Sequence, residues 1–567
     1  MTKVSHPSTH INTGFYLPHH AVLKESSTTT KLRVVFDGSA KSTSGLALND
    51  TLKVGAKIQD DLIDIIIRFR TYRYGFTADI EKMYRSILVQ ENHRCFQKII
   101  WRFDPSHELA EYQLNTVTYG TASASHLAIR CLRQLAIENQ AQFPVASDKI
   151  LKSFYVDDWL CGSNTIQEGK VLIKEVDEIL KSAGFNLRKW FACDNTLLNN
   201  FSNSPLEAKI LTENDTTKTL GITWNAKDDV FQYTICLPNI NPVTKRSILA
   251  SISQIFDPMG LVGPCIVRAK IIIQSLWQLG LNWDESVPMD LHQTWISFCE
   301  QICLINQIKI PRQIFCLNYN SVEFHGFSDA SQKAYGACCY LKSCNNSGDV
   351  VVRLICAKSR IAPLKTLSLP RLELCGALLL IRLSSKVLNA IQHVKINHSY
   401  FWTDSSIVLS WLALEPSQLN TFVANRISEI QQSSILSQWR HVSTQQNPAD
   451  MISRGLDPDT LKNCKLWWFG PEFLQHEEQT WPYLHSDISS NVPEVKQNTQ
   501  TVLTTFENPI GTTALYVDCE GFVECKDWRS SVNSSKENEF VDSCQRRALC
   551  RTISTLMFNV TKAYHCE

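Results

Sequence analysis

Two stretches of this sequence place carboxylates where they could work on phosphates. Phe154-Tyr155-Val156-Asp157-Asp158-Trp159-Leu160 sets two adjacent acids between apolar runs, and Thr77-Ala78-Asp79-Ile80-Glu81-Lys82-Met83-Tyr84 puts another at the end of an aromatic strand. Three carboxylates gathered on hard divalent cations suit phosphoryl transfer between a 3′-hydroxyl and a nucleoside triphosphate. One ion lowers the hydroxyl pKa and the other neutralises charge on the leaving pyrophosphate. A second set lies downstream. Asp329 ends Gly326-Phe327-Ser328-Asp329, and Glu373 follows Pro370 in Leu369-Pro370-Arg371-Leu372-Glu373. Asp404 ends Phe401-Trp402-Thr403-Asp404, and Asp450 closes Asn447-Pro448-Ala449-Asp450. Any one of these acids alone is more often a solvated turn residue or a helix cap.

The elements around them must do the positioning. Neighbouring residues on a strand point to opposite faces, so Asp157 and Asp158 converge on one ion only if the chain turns there. The spacing predicts a strand-turn-strand hairpin. Leu32 to Phe36 reads as a further strand, and Gln167 to Ala183 as a helix with Leu172, Val176, Ile179 and Leu180 on one face and Gly184 as its stop. A helix from Thr244 carries Ile248, Ile252 and Ile255 and ends before Asp257-Pro258-Met259-Gly260. Residues 321 to 342 turn strand-like and open a new α/β unit running to about residue 456. Proline at the head of a helical pattern after Leu369 puts Glu373 in the first turn of a helix. Beyond Pro471, Ser, Asn, Thr, Gln and Glu dominate, which reads as a linker.

Composition bounds the function. A chain of 567 residues that is 44% hydrophobic and 10% aromatic is built from several globular domains and is not disordered over most of its length. With 56 Lys+Arg against 55 Asp+Glu, its whole surface cannot grip a polyanion, so any such contact is local. Residues 1 to 100 hold 14 basic against 9 acidic side chains, while 481 to 567 hold 8 against 11. The basic excess gathers around Lys24, Lys31, Arg33 and Lys41, then Arg68, Arg70 and Arg73. The 20 cysteines are scattered with no Cys-x-x-Cys pair, the pattern of reduced buried thiols in an intracellular protein. Apolar runs such as Ala377 to Ile381 are too short to cross a bilayer, so no membrane association is expected.

Five blocks then carry a resemblance. Tyr16-Leu17-Pro18-His19-His20-Ala21-Val22, Lys31-Leu32-Arg33-Val34-Val35-Phe36-Asp37, Ala78-Asp79-Ile80-Glu81-Lys82-Met83-Tyr84, Tyr155-Val156-Asp157-Asp158 and Leu187-Arg188-Lys189-Trp190 occur in the order and spacing of a reverse transcriptase. The version resembles that of Bel/Pao LTR retrotransposons over roughly residues 15 to 460. Asp329, Glu373, Asp404 and Asp450 resemble the active site of ribonuclease H, and Ala357-Lys358-Ser359-Arg360-Ile361-Ala362-Pro363, Phe422-Val423-Ala424-Asn425-Arg426 and Ile452-Ser453-Arg454-Gly455 also look like the Bel/Pao version.

The resemblance implies an α/β (α+β) chain in four parts. These are the fingers and palm of a right-hand polymerase at 15–240, a helical thumb or connection region at 241–320, a ribonuclease H-like α/β domain at 321–460, and a linker toward an integrase at 461–567. Asp79, Asp157 and Asp158 would hold two Mg²⁺ ions in the palm, and Asp329, Glu373, Asp404 and Asp450 two in the nuclease, with Mn²⁺ as the alternative. Tyr84 resembles the bulky gate that clashes with a ribose 2′-OH, while Arg33 and Lys24 would meet the incoming triphosphate. The expected partners are an RNA template, a DNA primer, an RNA–DNA hybrid, dNTPs and other parts of a Gag-Pol polyprotein, in cytoplasmic virus-like particles.

The chain departs from its family after Tyr119-Gly120, where Ala122-Ser123-Ala124-Ser125-His126 replaces a stretch with a Ser-Pro pair, and it begins almost at the Leu-Pro-His-His block. Gln445 occupies the place where some nucleases of this kind carry a histidine, and His441 falls too early to replace it. Asp37-Gly38-Ser39 has the wrong order for an aspartic protease turn. Cys544, Cys550, His565 and Cys566 lack zinc-finger spacing. The competing expectation is a truncated element that binds nucleic acid and catalyses nothing.

Overall fold

A computed structural model describes residues 1–4, 14–23, 31–199, 216–219, 222–237, 242–482 and 492–496. Met1–Pro493 form one compact unit, and Glu494–Glu567 a second of which only the first three residues are described. Lys24 and the cysteine-rich tail lie outside the described residues.

The first half is organised by a four-stranded antiparallel sheet in the order Phe154–Tyr155, Asp158–Ser163, Tyr74–Ile80, Leu187–Ala192. Strand Tyr74–Ile80 is central and buries Phe76, Ala78 and Ile80 against helices Ala124–Glu138, Pro144–Ser153 and Ile166–Ser182. The last of these agrees with the helix expected at Gln167 to Ala183. Thr165 and Glu168 cap it reciprocally, each side chain accepting the other's backbone N–H at 3.2 Å, and Gly184 ends it at φ +78°. A hairpin of His19–Leu23 with Leu32–Phe36 stands to the front, beside a small sheet of Thr2–Lys3, Ala110–Gln113 and Lys98–Trp101.

The second half is a five-stranded sheet in the order Val350–Ile361, Ala334–Asn345, Tyr319–Ala330, His398–Thr403, Trp439–His441. Its first three strands pair antiparallel, and the last two run parallel to Tyr319–Ala330. Helix Leu369–Ala390 crosses one face and comes so close that a Cβ on Gly376 would sit 3.0 Å from the carbonyl oxygen of Asp329. The intervening helices Lys245–Ser253, Gly263–Gln278 and Met289–Ile302 pack onto this half. At Gly260, with φ +70°, a Cβ would fall 1.9 Å from the Ala357 carbonyl, so only glycine permits that approach.

Two expectations change. The linker proposed from residue 461 is packed structure through Trp481, because Leu461, Trp467, Phe473, Leu474 and Trp481 are buried in the same core as the sheet. The few large apolar residues there decide the packing, and the polar average does not. Arg68 and Arg70 are also not part of a basic surface. Both lie on helix Leu62–Thr71 and are buried.

That helix joins the two halves. Arg70 donates to the carbonyls of Ile355 at 2.9 Å, Arg312 at 3.2 Å and Pro311 at 3.3 Å. Arg312 pairs with Asp229 at 2.6 Å and donates to the carbonyls of Phe69 at 2.8 Å, Tyr72 at 2.7 Å and Arg73 at 2.9 Å. Arg68 reaches the Ala390 carbonyl at 3.2 Å, and Lys386 pairs with Asp61 and Asp64. Replacing Arg70 with alanine strands the buried carbonyls of Ile355 and Arg312 and the part-buried one of Pro311, each formerly bonded to a charged donor. The expected cost is about 3 kcal/mol or more in denaturant unfolding. Arg70→Lys recovers little of it, since one ammonium nitrogen cannot stand where Nε, Nη1 and Nη2 each meet a carbonyl. A loss under about 1 kcal/mol for Arg70→Ala would contradict this account.

Candidate active sites

The first cluster lies where the central strand of the first half ends. Asp79 and Asp158 are direct cross-strand partners, and Asp157 occupies the turn that precedes Asp158, the hairpin expected from the sequence. The turn is tightened by Val156 at φ +58°, a conformation that costs a β-branched residue roughly 1–3 kcal/mol. It is held by Gln59, whose side-chain oxygen accepts from Val156 N at 3.1 Å, and by the Asp157 carbonyl, which accepts from Ile80 N at 2.9 Å. Burial, then the charges of Asp157 and Asp79, push the Asp158 carboxyl up to about 7, and burial raises Asp157 as well. Asp79 is ion-paired to Lys189, while Arg188 pairs with Glu81 at 2.7 Å. The Lys189–Asp79 contact spans 110 positions and leaves no local signal in the sequence.

Tyr84 stands on the short 3₁₀ turn Met83–Ser86, half-buried, with its hydroxyl 3.2 Å from Ser125 Oγ. Arg33 is exposed on strand Leu32–Phe36. The structure records no contact between Arg33 and the acids.

The second cluster is tighter. Asp329 closes the central strand, Asp404 follows strand His398–Thr403, and Glu373 is the fifth residue of helix Leu369–Ala390, one position beyond the first turn expected for it. These three offer oxygens that all lie within 4.8 Å of one another, the one such group among the described residues. Asp450 opens the helix Asp450–Arg454 and is ion-paired to Arg454. It lies outside the group of three, although its charge reaches Asp329. Burial pushes Asp329 up to about 7, with Asp404 and Asp450 adding to the rise and the Ser453 hydroxyl opposing it. Burial, then Asp329 and Asp404, push Glu373 up to about 9.

Three further side chains, to which the sequence assigns no role, support this cluster. Ser453 Oγ donates to Asp329 Oδ2, Thr444 Oγ1 donates to Asp404 Oδ2 at 2.8 Å, and Asn447 Nδ2 ties the terminal loop to the Ser328 carbonyl at 3.0 Å. Ser453 and Asn447 fall within the motifs Ile452-Ser453-Arg454-Gly455 and Asn447-Pro448-Ala449-Asp450, whereas Thr444 carries no local signal. Glu373 Oε2 and Asp404 Oδ1 are buried with no hydrogen-bond partner. Crowded, desolvated carboxylates with orphaned oxygens are the donor set a hard divalent cation takes, so Asp329, Glu373 and Asp404 fit such an ion. The first cluster fits less completely, because Lys189 already neutralises Asp79.

Comparison with known families agrees with this division. Residues 38–222 match the family described as reverse transcriptase (RNA-dependent DNA polymerase), and residues 244–405 match the Pao retrotransposon-like RNaseH-like domain. No curated protein matches the chain. Among solved structures, the foamy viral protease-reverse transcriptase in complex with RNA/DNA hybrid is 14% identical with a TM-score of 0.46, over 76% of this chain and 50% of that one. A second form of that protein, with double-stranded DNA, gives the same identity and score over 66% of its length. The chain thus spans half to two thirds of the length of these two proteins. A reverse transcriptase domain followed by an RNase H-like domain defines a retroelement polymerase region. More particularly, the second of these domains is similar to that of the Pao retrotransposons.

If the second cluster is a cation site, crowding destabilises it when no cation is bound. Glu373→Gln is expected to raise the Tm in metal-free buffer at neutral pH by about 2 °C, the size of about 1 kcal/mol. Mg²⁺ should raise the wild-type Tm and move that of the variant less. Equal Mg²⁺ shifts in both proteins would rule the site out.

Proposed function

We propose that this chain copies RNA into DNA through Asp79, Asp157 and Asp158 and cleaves the RNA of the resulting hybrid through Asp329, Glu373, Asp404 and Asp450. The observation that carries the reading is the gathering of Asp329, Glu373 and Asp404 at the end of a central strand, matched in the first half by Asp79 facing Asp158. Divalent cations, Mg²⁺ or Mn²⁺, would supply there the positive charge that activates a 3′-hydroxyl or a water and stabilises the departing oxygen.

The chain's own residues do the rest. Ser453 and Thr444 fix the carboxylates of Asp329 and Asp404, leaving their other oxygens aimed at a ligand. Lys189 holds Asp79 until substrate and cation arrive, and the Tyr84 ring lines the sugar of an incoming dNTP. Arg33 offers an exposed guanidinium to its triphosphate, a task for which the planar fork is suited. Lys24 is the second candidate for that contact. Template, primer and hybrid would be held chiefly through phosphates and 2′-OH groups, so affinity falls steeply with salt. In the element the chain would act within a longer polyprotein, in cytoplasmic particles, upstream of DNA integration.

A second reading, an element that binds nucleic acid without copying it, draws support from the Lys189–Asp79 pair and from the departure at Ala122 to His126. Paired assays separate the two. Asp157→Asn is expected to lower primer extension on an RNA template more than about a hundredfold while sparing hybrid cleavage, and Asp404→Asn to do the reverse. Thr444→Ala and Ser453→Ala, acting through the ligands, should cost cleavage about 10–100-fold. Extension that is the same in wild type and Asp157→Asn sinks the polymerase claim, and equal cleavage in wild type and Asp404→Asn sinks the nuclease claim.

A further inference from the structure

The stretch in which this chain departs from its family, Ala122-Ser123-Ala124-Ser125-His126, is firmly held. Asn49 Oδ1 accepts from Ala122 N at 2.7 Å, while Asn49 Nδ2 donates to the Gly120 carbonyl at 3.1 Å and to Ser39 Oγ at 2.8 Å. The His126 ring nitrogen Nδ1 bonds the Ala56 carbonyl at 2.9 Å, and the contact is so close that a Cβ on Gly55 would lie 2.3 Å from that ring. The stretch opens helix Ala124–Glu138, whose Ala128, Leu132 and Ala136 are buried in the core of the first half. A side chain at its start is therefore fixed to both the front of the molecule and its core.

Ser125 is such a side chain, and its Oγ lies 3.2 Å from the Tyr84 hydroxyl, either group being able to donate. Tyr84 needs an anchor. It stands on a four-residue 3₁₀ turn entered through Lys82 at φ +50°, and its ring is only half-buried, against the same core. Two side-chain torsions carry the hydroxyl tip, so a hydrogen bond at that tip fixes where the ring edge stands. The ring is near the acids as well, since the Asp157 charge acts on its phenol.

We propose that Ser125 is a positioning residue for sugar selection, its hydroxyl holding the Tyr84 ring where it admits the deoxyribose of an incoming nucleotide and excludes a ribose. The inference rests on the reading that the chain polymerises nucleotides with Tyr84 beside the sugar. Removing the hydroxyl frees the ring to swing aside and lets a 2′-OH enter. Contact with the acids is not lost, so the effect falls on discrimination.

The test is single-nucleotide primer extension by the full chain, comparing kcat/KM for a dNTP and the matching rNTP. Ser125→Ala is expected to lower the preference for dNTP about fivefold, the worth of one neutral hydrogen bond, chiefly through a lower KM for the rNTP. Ser125→Thr, which keeps the hydroxyl, should retain the preference. Tyr84→Phe deletes the same bond from the other side and should give the same loss, and the double variant Ser125→Ala/Tyr84→Phe no more than either. An unchanged preference in Ser125→Ala, or losses that multiply in the double variant, overturns the inference. Should Ser125→Ala not fold, the preference of Tyr84→Phe decides in its place. A wild-type chain that cannot extend with dNTP overturns the polymerase reading and this inference with it, whereas extension with unaltered sugar preference overturns the inference alone.

Discussion

The structure depends on two buried guanidiniums, Arg70 and Arg312, set back to back at the end of helix Leu62–Thr71. A helix leaves its last carbonyls without partners, and they carry the negative end of its dipole. Arg312 meets that end, donating to Phe69, Tyr72 and Arg73, while Asp229 balances its charge. Arg70 donates instead to the carbonyls of Pro311, Arg312 and, on the sheet of the second half, Ile355. Burial brings Arg70 down to about 10, which leaves it charged at neutral pH and makes every one of those acceptors necessary. The strand that carries Asp79 begins at Tyr74, three residues after the helix, and Gly75 lies under Arg312, where a Cβ would meet the guanidinium Nε at 2.7 Å. The first acid of one site is thus positioned by a cation that also belongs to the frame of the other.

The two acid clusters manage their repulsion differently. In the first, an internal ammonium from Lys189 sits on Asp79, and the remaining pair, Asp157 and Asp158, bears the cost of burial. In the second, neutral hydroxyls from Ser453 and Thr444 each occupy one oxygen of an aspartate, while Asp404 Oδ1 and Glu373 Oε2 are left without a partner. A hydroxyl orients a carboxylate without cancelling its charge, so the second cluster keeps more attraction for a cation. A lysine cancels charge, and the first cluster needs that lysine to move before its three acids act together. The Lys189 backbone, at φ +51°, is itself in a region unfavourable to side chains, which lowers the cost of rearranging it.

The sequence showed the elements whose cause is local. The Asp157-Asp158 hairpin follows from alternation on strands, the Ile166–Ser182 helix from its apolar stripe and its stop at Gly184, and the acids at Asp329 and Asp404 from apolar runs that end on a charge. What stayed illegible depends on partners far along the chain. Nothing near Arg68 and Arg70 says that carbonyls some 240 to 320 residues later will bury them, so they read as surface charge. Phe473, Leu474 and Trp481 sit in a polar stretch whose average hides them, yet each is buried in the core of the sheet. Thr444 and Ser453 are ordinary residues until the fold sets them beside Asp404 and Asp329.

The even balance of 56 basic against 55 acidic residues is a poor guide to what this surface can bind. Arg68, Arg70 and Arg312 are spent inside the molecule, so they attract no phosphate. Against that, Glu373 is held up to about 9 and Asp329 and Asp158 up to about 7, so part of the formal negative charge is not expressed in the folded protein at neutral pH. A divalent cation bound at the crowded acids would displace those protons, so the positive charge gained at that point is less than the ion's own. The attraction for a nucleic acid backbone is thereby tied to the state of the two clusters and to exposed cations such as Arg33, and the sum over the chain carries none of that information.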